Sequence, residues 1–181
     1  NYGARSMVAA GGSLIVGTYN NSTGCEIWSW DFFDIEQMAE GSFDEQADPS
    51  GPGLRQDVGV ASLFLYGTEL YCGTQSQKVC EVRRYAGGKD WPLVAPLGFA
   101  ANNSLEIRSL AVYDGRVVAG TDGQYAGCRV WRRGSGGGWE AISSPDFGNG
   151  GHNPCAGRWR TGVCSGLTGW RPLACNAASA R

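Results

Sequence analysis

His152 is the only histidine of the 181-residue chain, and it stands in a glycine-rich stretch. A Ser-His-Asp or Cys-His nucleophile would have to use it, since no other side chain titrates unperturbed near neutral pH. Glycoside cleavage needs two carboxyl groups facing each other across roughly 5–9 Å. The obvious pair, Glu26 and Glu81, occupies equivalent places in a repeated motif, which argues for a structural job. A sialidase would add an arginine cluster for the substrate carboxylate. Arg5 and Arg108 recur before equivalent strands where another copy has Ala61, so hydrogen bonding between repeats is the expected role. No catalytic residue is expected.

Metal chemistry is expected to be absent too. Asp44, Glu45, Asp48 and Asp57 fall close together, but not at the spacing of a calcium loop, and read as a solvated acidic loop. There is no CxxC for zinc. Seven cysteines are present. Cys25, Cys80 and Cys128 recur at one place in successive repeats, too far apart to bridge one another, and are expected as small buried side chains. Cys72 could reach Cys80 only off register. Cys155, Cys164 and Cys175 are candidates for one loop-closing disulfide, and an odd total leaves at least one thiol free or bonded to another chain. Trp28, Trp30 and Trp131 are the candidate ligand-binding residues, as flat faces for sugars. Asn20, Asn21 and Asn102 open three N-glycosylation sequons in loops.

The elements that hold these residues repeat. Ser6-Met-Val-Ala-Ala-Gly-Gly-Ser-Leu-Ile-Val-Gly-Thr18 aligns with Ser62-Leu-Phe-Leu-Tyr-Gly-Thr-Glu-Leu-Tyr-Cys-Gly-Thr74 and with Ser109-Leu-Ala-Val-Tyr-Asp-Gly-Arg-Val-Val-Ala-Gly-Thr121. A third strand then opens at Cys25-Glu-Ile-Trp, Cys80-Glu-Val-Arg and Cys128-Arg-Val-Trp, and a late tryptophan, Trp91 or Trp139, marks a fourth. Short apolar runs broken by Asp-Gly and glycine clusters are the signal of an antiparallel meander. One such sheet cannot bury both faces alone, so neighbouring copies must cover it. Residues Trp28 to Met38 fit a fourth strand better than a short helix. Pro92 and Pro96 bracket the outer strand of the second copy. Tyr66, Tyr71 and Tyr85 are expected to pack between copies.

A four-stranded period of this length is the mark of β-propeller blades. The residues Gly98-Phe99, Asn102-Asn103, Arg108-Ser109-Leu110-Ala111-Val112, Gly120-Thr121 and Gly127-Cys128-Arg129-Val130-Trp131-Arg132 resemble an extracellular microbial propeller repeat family, distantly like the Asp-box propellers of sialidases. The resemblance covers about residues 1 to 150 and implies an all-β fold: a β-propeller with three four-stranded blades in this chain, completed by further sequence or other copies. It says little of activity, because folds host many functions. The expected organisation is residues 1–57 as blade 1 with an acidic insert, 58–104 as blade 2, and 105–154 as blade 3 with a lead-in to a next blade. Residues 155–181 form a Cys/Trp/Arg tail of unassigned structure.

A net charge of −2 leaves no electrostatic footprint for nucleic acid, and no apolar run is long enough to span a membrane. The chain begins at Asn1, so either a leader was removed or this is an excerpt of a longer protein. Sequons and cysteine number point to an extracellular or cell-surface location. The expected function is a non-enzymatic structural, assembly or adhesion module without cofactors, whose partners are other copies of itself or further blades, and glycans. A carbohydrate-binding lectin is the alternative, and a fragment of a sialidase-like hydrolase comes third.

Overall fold

The computed structural model describes residues 1–41, 43, 57–77, 79–95, 99, 104–123 and 127–148. Among them are eleven strands and no α-helix. The first repeat holds β1 (Gly3–Ala10), β2 (Ser13–Tyr19), β3 (Ile27–Trp30) and β4 (Ile35–Ala39). The second holds β5 (Asp57–Tyr66), β6 (Glu69–Ser76) and β7 (Val82–Arg84). The third holds β8 (Ser104–Tyr113), β9 (Arg116–Gly123), β10 (Arg129–Arg133) and β11 (Trp139–Ala141), followed by a 3-10 turn at Pro145–Gly148. The expected strand after Trp28 is present as β4.

Within each repeat consecutive strands pair antiparallel. The first two strands always join through a two-residue loop, since Ala10 pairs Ser13, Tyr66 pairs Glu69 and Tyr113 pairs Arg116. At the third loop Asp114 and Gly115 have φ of 52° and 66°. Two left-handed residues in a row give the hairpin turn whose twist matches the strands it joins. Each opening strand also carries a register shift at one repeat position, between Ala4 and Ser6, Val60 and Ser62, and Ile107 and Ser109. The extra residue of each bulge is Arg5, Ala61 or Arg108. A bulge bends its strand and re-aims a side chain, which is how both arginines leave the ladder.

The second repeat departs from expectation. It has three strands, and its outer segment reaches Arg83 only through an isolated pair with Leu93, beside a second pair of Gly87 with Asp90. Arg84 N–H still bonds the Pro92 carbonyl and Val94 N–H the Val82 carbonyl. Pro92 has no N–H to carry a ladder onward, so a predicted fourth strand shrinks to a few bonds. Among the described residues the repeats thus hold four, three and four strands.

Successive repeats touch by single ladder pairs, Tyr19 with Gly59 and Gln75 with Glu106. The result is an antiparallel array that does not close on itself. Its hydrophobic core is divided, and each half lies between two repeats. Ile15, Cys25, Ile27, Met38 and Ala39 of the first repeat pack against Val60, Leu70, Cys72 and Trp91 of the second. Tyr71, Cys80, Val82 and Ala95 of the second pack against Phe99, Ile107, Val117, Ala119 and Trp131. Alternate residues of β6 therefore serve opposite cores, as a strand's two-residue period requires.

Candidate functional site

The recurring Ser, Gly, Thr and Cys residues meet at the faces between repeats, and each does one job twice. Ser6 Oγ donates to the Val60 carbonyl at 2.8 Å, and Ser62 Oγ to the Ile107 carbonyl at 3.0 Å. Cys25 N–H bonds the Asp57 carbonyl, and Cys80 N–H the Ser104 carbonyl. Thr18 Oγ1 accepts the Glu26 N–H and Thr74 Oγ1 the Glu81 N–H, each at 2.9 Å, tying the second strand to the start of the third. The glycines make room. A Cβ on Gly17 would lie 2.6 Å from Val60 Cβ, and one on Gly73 would lie 2.5 Å from Ile107 Cβ. Both separations are far below a van der Waals contact, so a side chain at either glycine would push two repeats apart.

An aromatic clasp completes each junction. Phe43, after the first repeat, meets the Trp91 ring edge-on at 6.0 Å, and the Arg83 guanidinium lies 5.2 Å from its centroid. Phe99, after the second, stacks on Trp131 at 4.9 Å and meets Trp139 edge-on at 5.3 Å. Arg83 and Trp131 both stand three residues after the repeat cysteine, and Trp91 and Trp139 are the late tryptophans. Phe43 went unrecognised in the sequence because its only signal is an aromatic shortly after Gly41, outside the aligned motif.

Two charged clusters lie beside these faces. Arg5 of the first repeat reaches Glu106 of the third at 2.6 Å, and Arg108 holds Asp122 at 2.9 Å and Glu106 at 3.1 Å. The expected inter-repeat role thus holds for Arg5, while Arg108 bonds within its own repeat. Neither acid was singled out from sequence, because each stands outside the aligned block. A cleft of about 340 Å³ is lined by Glu69, Tyr71, Arg116 and Arg133. Tyr71 donates to Glu69 at 2.8 Å, and Arg84 also bonds that carboxylate. The Tyr71 hydroxyl and then Arg84 hold Glu69 below the usual carboxylate range, while burial, then Glu69, pushes Tyr71 up. A carboxylate stabilised as its anion, with both oxygens engaged, is poorly suited to proton transfer near neutral pH. Glu26 takes the Trp28 indole N–H and the Asn1 amide, and Glu81 takes Arg83. Those two acids belong to separate repeats, and each is engaged by a partner of its own repeat.

The structure separates the three candidate tryptophans. Trp131 is 8% exposed, covered by Phe99, and offers no open face. Trp28 is half-buried. Trp30 is 40% exposed and lies 4.7 Å from the Phe32 ring, beside the wholly exposed Phe33. Of the sequon asparagines, Asn20 is buried and its amide holds its own turn: Nδ2 donates to Thr23 Oγ1, and Oδ1 accepts the N–H groups of Ser22 and Thr23. Asn21 is exposed. Asn102, His152, Cys155, Cys164 and Cys175 lie outside the described residues, as does the acidic loop except Asp57, which opens β5 in a buried position. Cys25, Cys72 and Cys80 are buried free thiols, and Cys128 is buried at the equivalent place. Burial pushes Cys25, Cys72 and Cys80 well above the ordinary thiol value. Tyr71 is fully buried between repeats, Tyr85 packs 5.1 Å from Trp91, and the Tyr66 hydroxyl donates to the Gly115 carbonyl of the third repeat.

The outer face of the third repeat carries the same parts as the two filled faces. Ser109, Val118, Gly120, Cys128, Val130 and Phe147 line an apolar cavity of about 220 Å³. Ser109 is exposed and Phe147 is 56% exposed. Among the described residues, a Cβ on Gly120 would meet only the Ser109 hydroxyl of its own hairpin. No family model matches this chain, and no curated protein matches it. Among the described residues no helix is long and apolar enough to cross a membrane.

Proposed function

We propose that the chain is a non-enzymatic extracellular module of the β-propeller type, acting in structure, assembly or adhesion. One observation carries this reading: the residues that recur are taken up in joining one repeat to the next. Ser62, Gly73, Thr74 and Cys80 all serve the junctions or the strand ladder. Antiparallel meanders at this spacing, with the inner strands of first and third repeats bridged by Arg5 and Glu106, fit the radial arrangement of blades. Propellers need at least four blades, so three repeats serve as part of a larger closed particle, built from other copies or further repeats. The exposed sequon at Asn21 supports an extracellular setting.

Comparing native with denatured mass of the protein from its natural source tests this reading. A particle heavier than one 19.2 kDa chain supports it. A monomer of 19.2 kDa that hydrolyses sialosides or glucans overturns it.

A lectin is the second reading, favoured by the β3–β4 tip. Trp30, Phe32 and Phe33 crowd one turn with rings turned to solvent, and Phe32 is held at φ 77°. Aromatic faces with one wet side are suited to recognition. Quenching of tryptophan fluorescence by oligosaccharides, lost in Trp30→Ala, is the expected sign of such a site.

A further inference from the structure

The chain builds one interface twice, and its described residues present each half of that interface once more with no described residue seated on it. In each filled junction the earlier repeat supplies a serine hydroxyl, a glycine floor and a trailing phenylalanine. The later repeat supplies the residue two before its own serine, Val60 or Ile107, with two apolar residues of its second strand and the pair that receives the phenylalanine. The third repeat presents the first set, at Ser109, Gly120 and Phe147, with no described residue seated on it. The first repeat presents the second set. Ala4, its counterpart of the fully buried Val60 and Ile107, is exposed. Leu14 and Val16 are half-buried, whereas their counterparts Leu70, Val117, Cys72 and Ala119 are buried. The clasp position is open as well, with Trp28 half-buried and Ile35 64% exposed, where the other repeats have Arg83 and Trp91 or Trp131 and Trp139.

From this we infer that a second copy of the chain docks its first repeat onto the third repeat of its neighbour, head to tail, in the register of the two internal junctions. The occupant follows from continuity with those junctions: the first repeat displays the one described surface built as the missing half. Ser109 Oγ then donates to the Ala4 carbonyl, the Ala4 methyl seats over Gly120, and Phe147 covers Trp28 and Ile35. A heterologous contact closes into a ring when its rotation allows and otherwise runs on as a filament. Two copies joined through both ends bring six repeats together, enough for a propeller.

This inference rests on the assembly reading, and a pair of blocking variants of the full chain separates the two. Val130→Arg places a charge on the third-repeat face, and Ala4→Arg places one on the first-repeat face. Both positions are at least partly exposed, so thermal unfolding should stay near wild type; Val118→Arg replaces Val130→Arg if that variant fails to fold. Sedimentation velocity is expected to show each variant associating at least ~10-fold more weakly than wild type, since the buried charge has no partner. Mixing the two variants should restore a complex of one copy of each, through the single junction left intact. That rescue is peculiar to a head-to-tail contact. If Val130→Arg weakens association while Ala4→Arg does not, a different occupant sits on the third repeat and the inference is overturned. If the wild-type chain associates and neither variant changes it, the inference falls and the assembly reading stands. A wild-type chain that stays monomeric at every concentration, beside a heavier natural particle, has the same meaning. A natural particle of one chain's mass removes both.

Discussion

The buried thiols carry a consequence for reactivity. A thiolate is the attacking form, and burial holds Cys25, Cys72 and Cys80 in the neutral form. Disulfide reagents should therefore label these three only as the chain unfolds, and a labelling time course in rising urea checks this. The same shifts predict a pH dependence. Folded values above the ordinary 9.0 mean that the folded state disfavours the charged form, so their stabilisation is full below pH 9.0 and is lost as pH climbs above it. The urea midpoint should hold below about pH 9 and fall progressively as pH is raised beyond it. The burial of Cys25 and Cys80 was legible because, with Cys128, they recur at a common place in three copies, whereas Cys72 has no cysteine counterpart in the other two. The burial of Asn20 was not, since a sequon reads the same whether its amide is free or closes a turn.

The strand hairpins supply the sharpest contrast between filled and open faces. Gly73→Ala should cost about 1–3 kcal/mol, because the new methyl collides with Ile107 across a packed junction. Gly120→Ala should cost under ~1 kcal/mol in the isolated chain, since a small hydroxyl can rotate away. Urea denaturation of the two variants measures the difference. Equal losses would mean that the glycines serve their own hairpins and not the neighbouring repeat. At this scale the meander and its two-residue loops could be read from turn residues and alternation. The missing strand of the second repeat could not, for Pro92 is compatible with an edge strand and only its partner's bonds decide. The clasp was half visible: Gly98-Phe99 and Asp146-Phe147 look alike in sequence, while Phe43 stands in a different local context.

Across the whole molecule, one ion cluster spans the array. Glu106 is nearly buried and is shared by Arg5 from the first repeat and Arg108 from its own. Removing either arginine leaves the carboxylate one partner, so Arg5→Ala should cost about 1 kcal/mol. Removing both strands a buried charge and should cost about 3–5 kcal/mol, more than the single losses added together. A double-mutant cycle by urea denaturation measures this coupling, and simple additivity would show that the cluster does not act as a unit. This contact joins residues a hundred positions apart and had no signature in the sequence beyond the recurrence of arginine. The all-β class and the recurring antiparallel meander were legible because periodicity survives in a single chain, whereas unique long-range pairs do not.

The division of the core between repeats has a last consequence, for the order in which structure can be acquired. Leu70 and Cys72 belong to one core and Tyr71 to the other, so the second repeat is the shared wall of both. No repeat owns a complete interior, and none can be expected to persist alone. As the chain leaves the ribosome, the first repeat must wait for the second before either is buried, and the second stays half covered until the third arrives. Structure then grows by nearest-neighbour zipping from a two-repeat nucleus, and the middle repeat is the last place from which it can be unpicked.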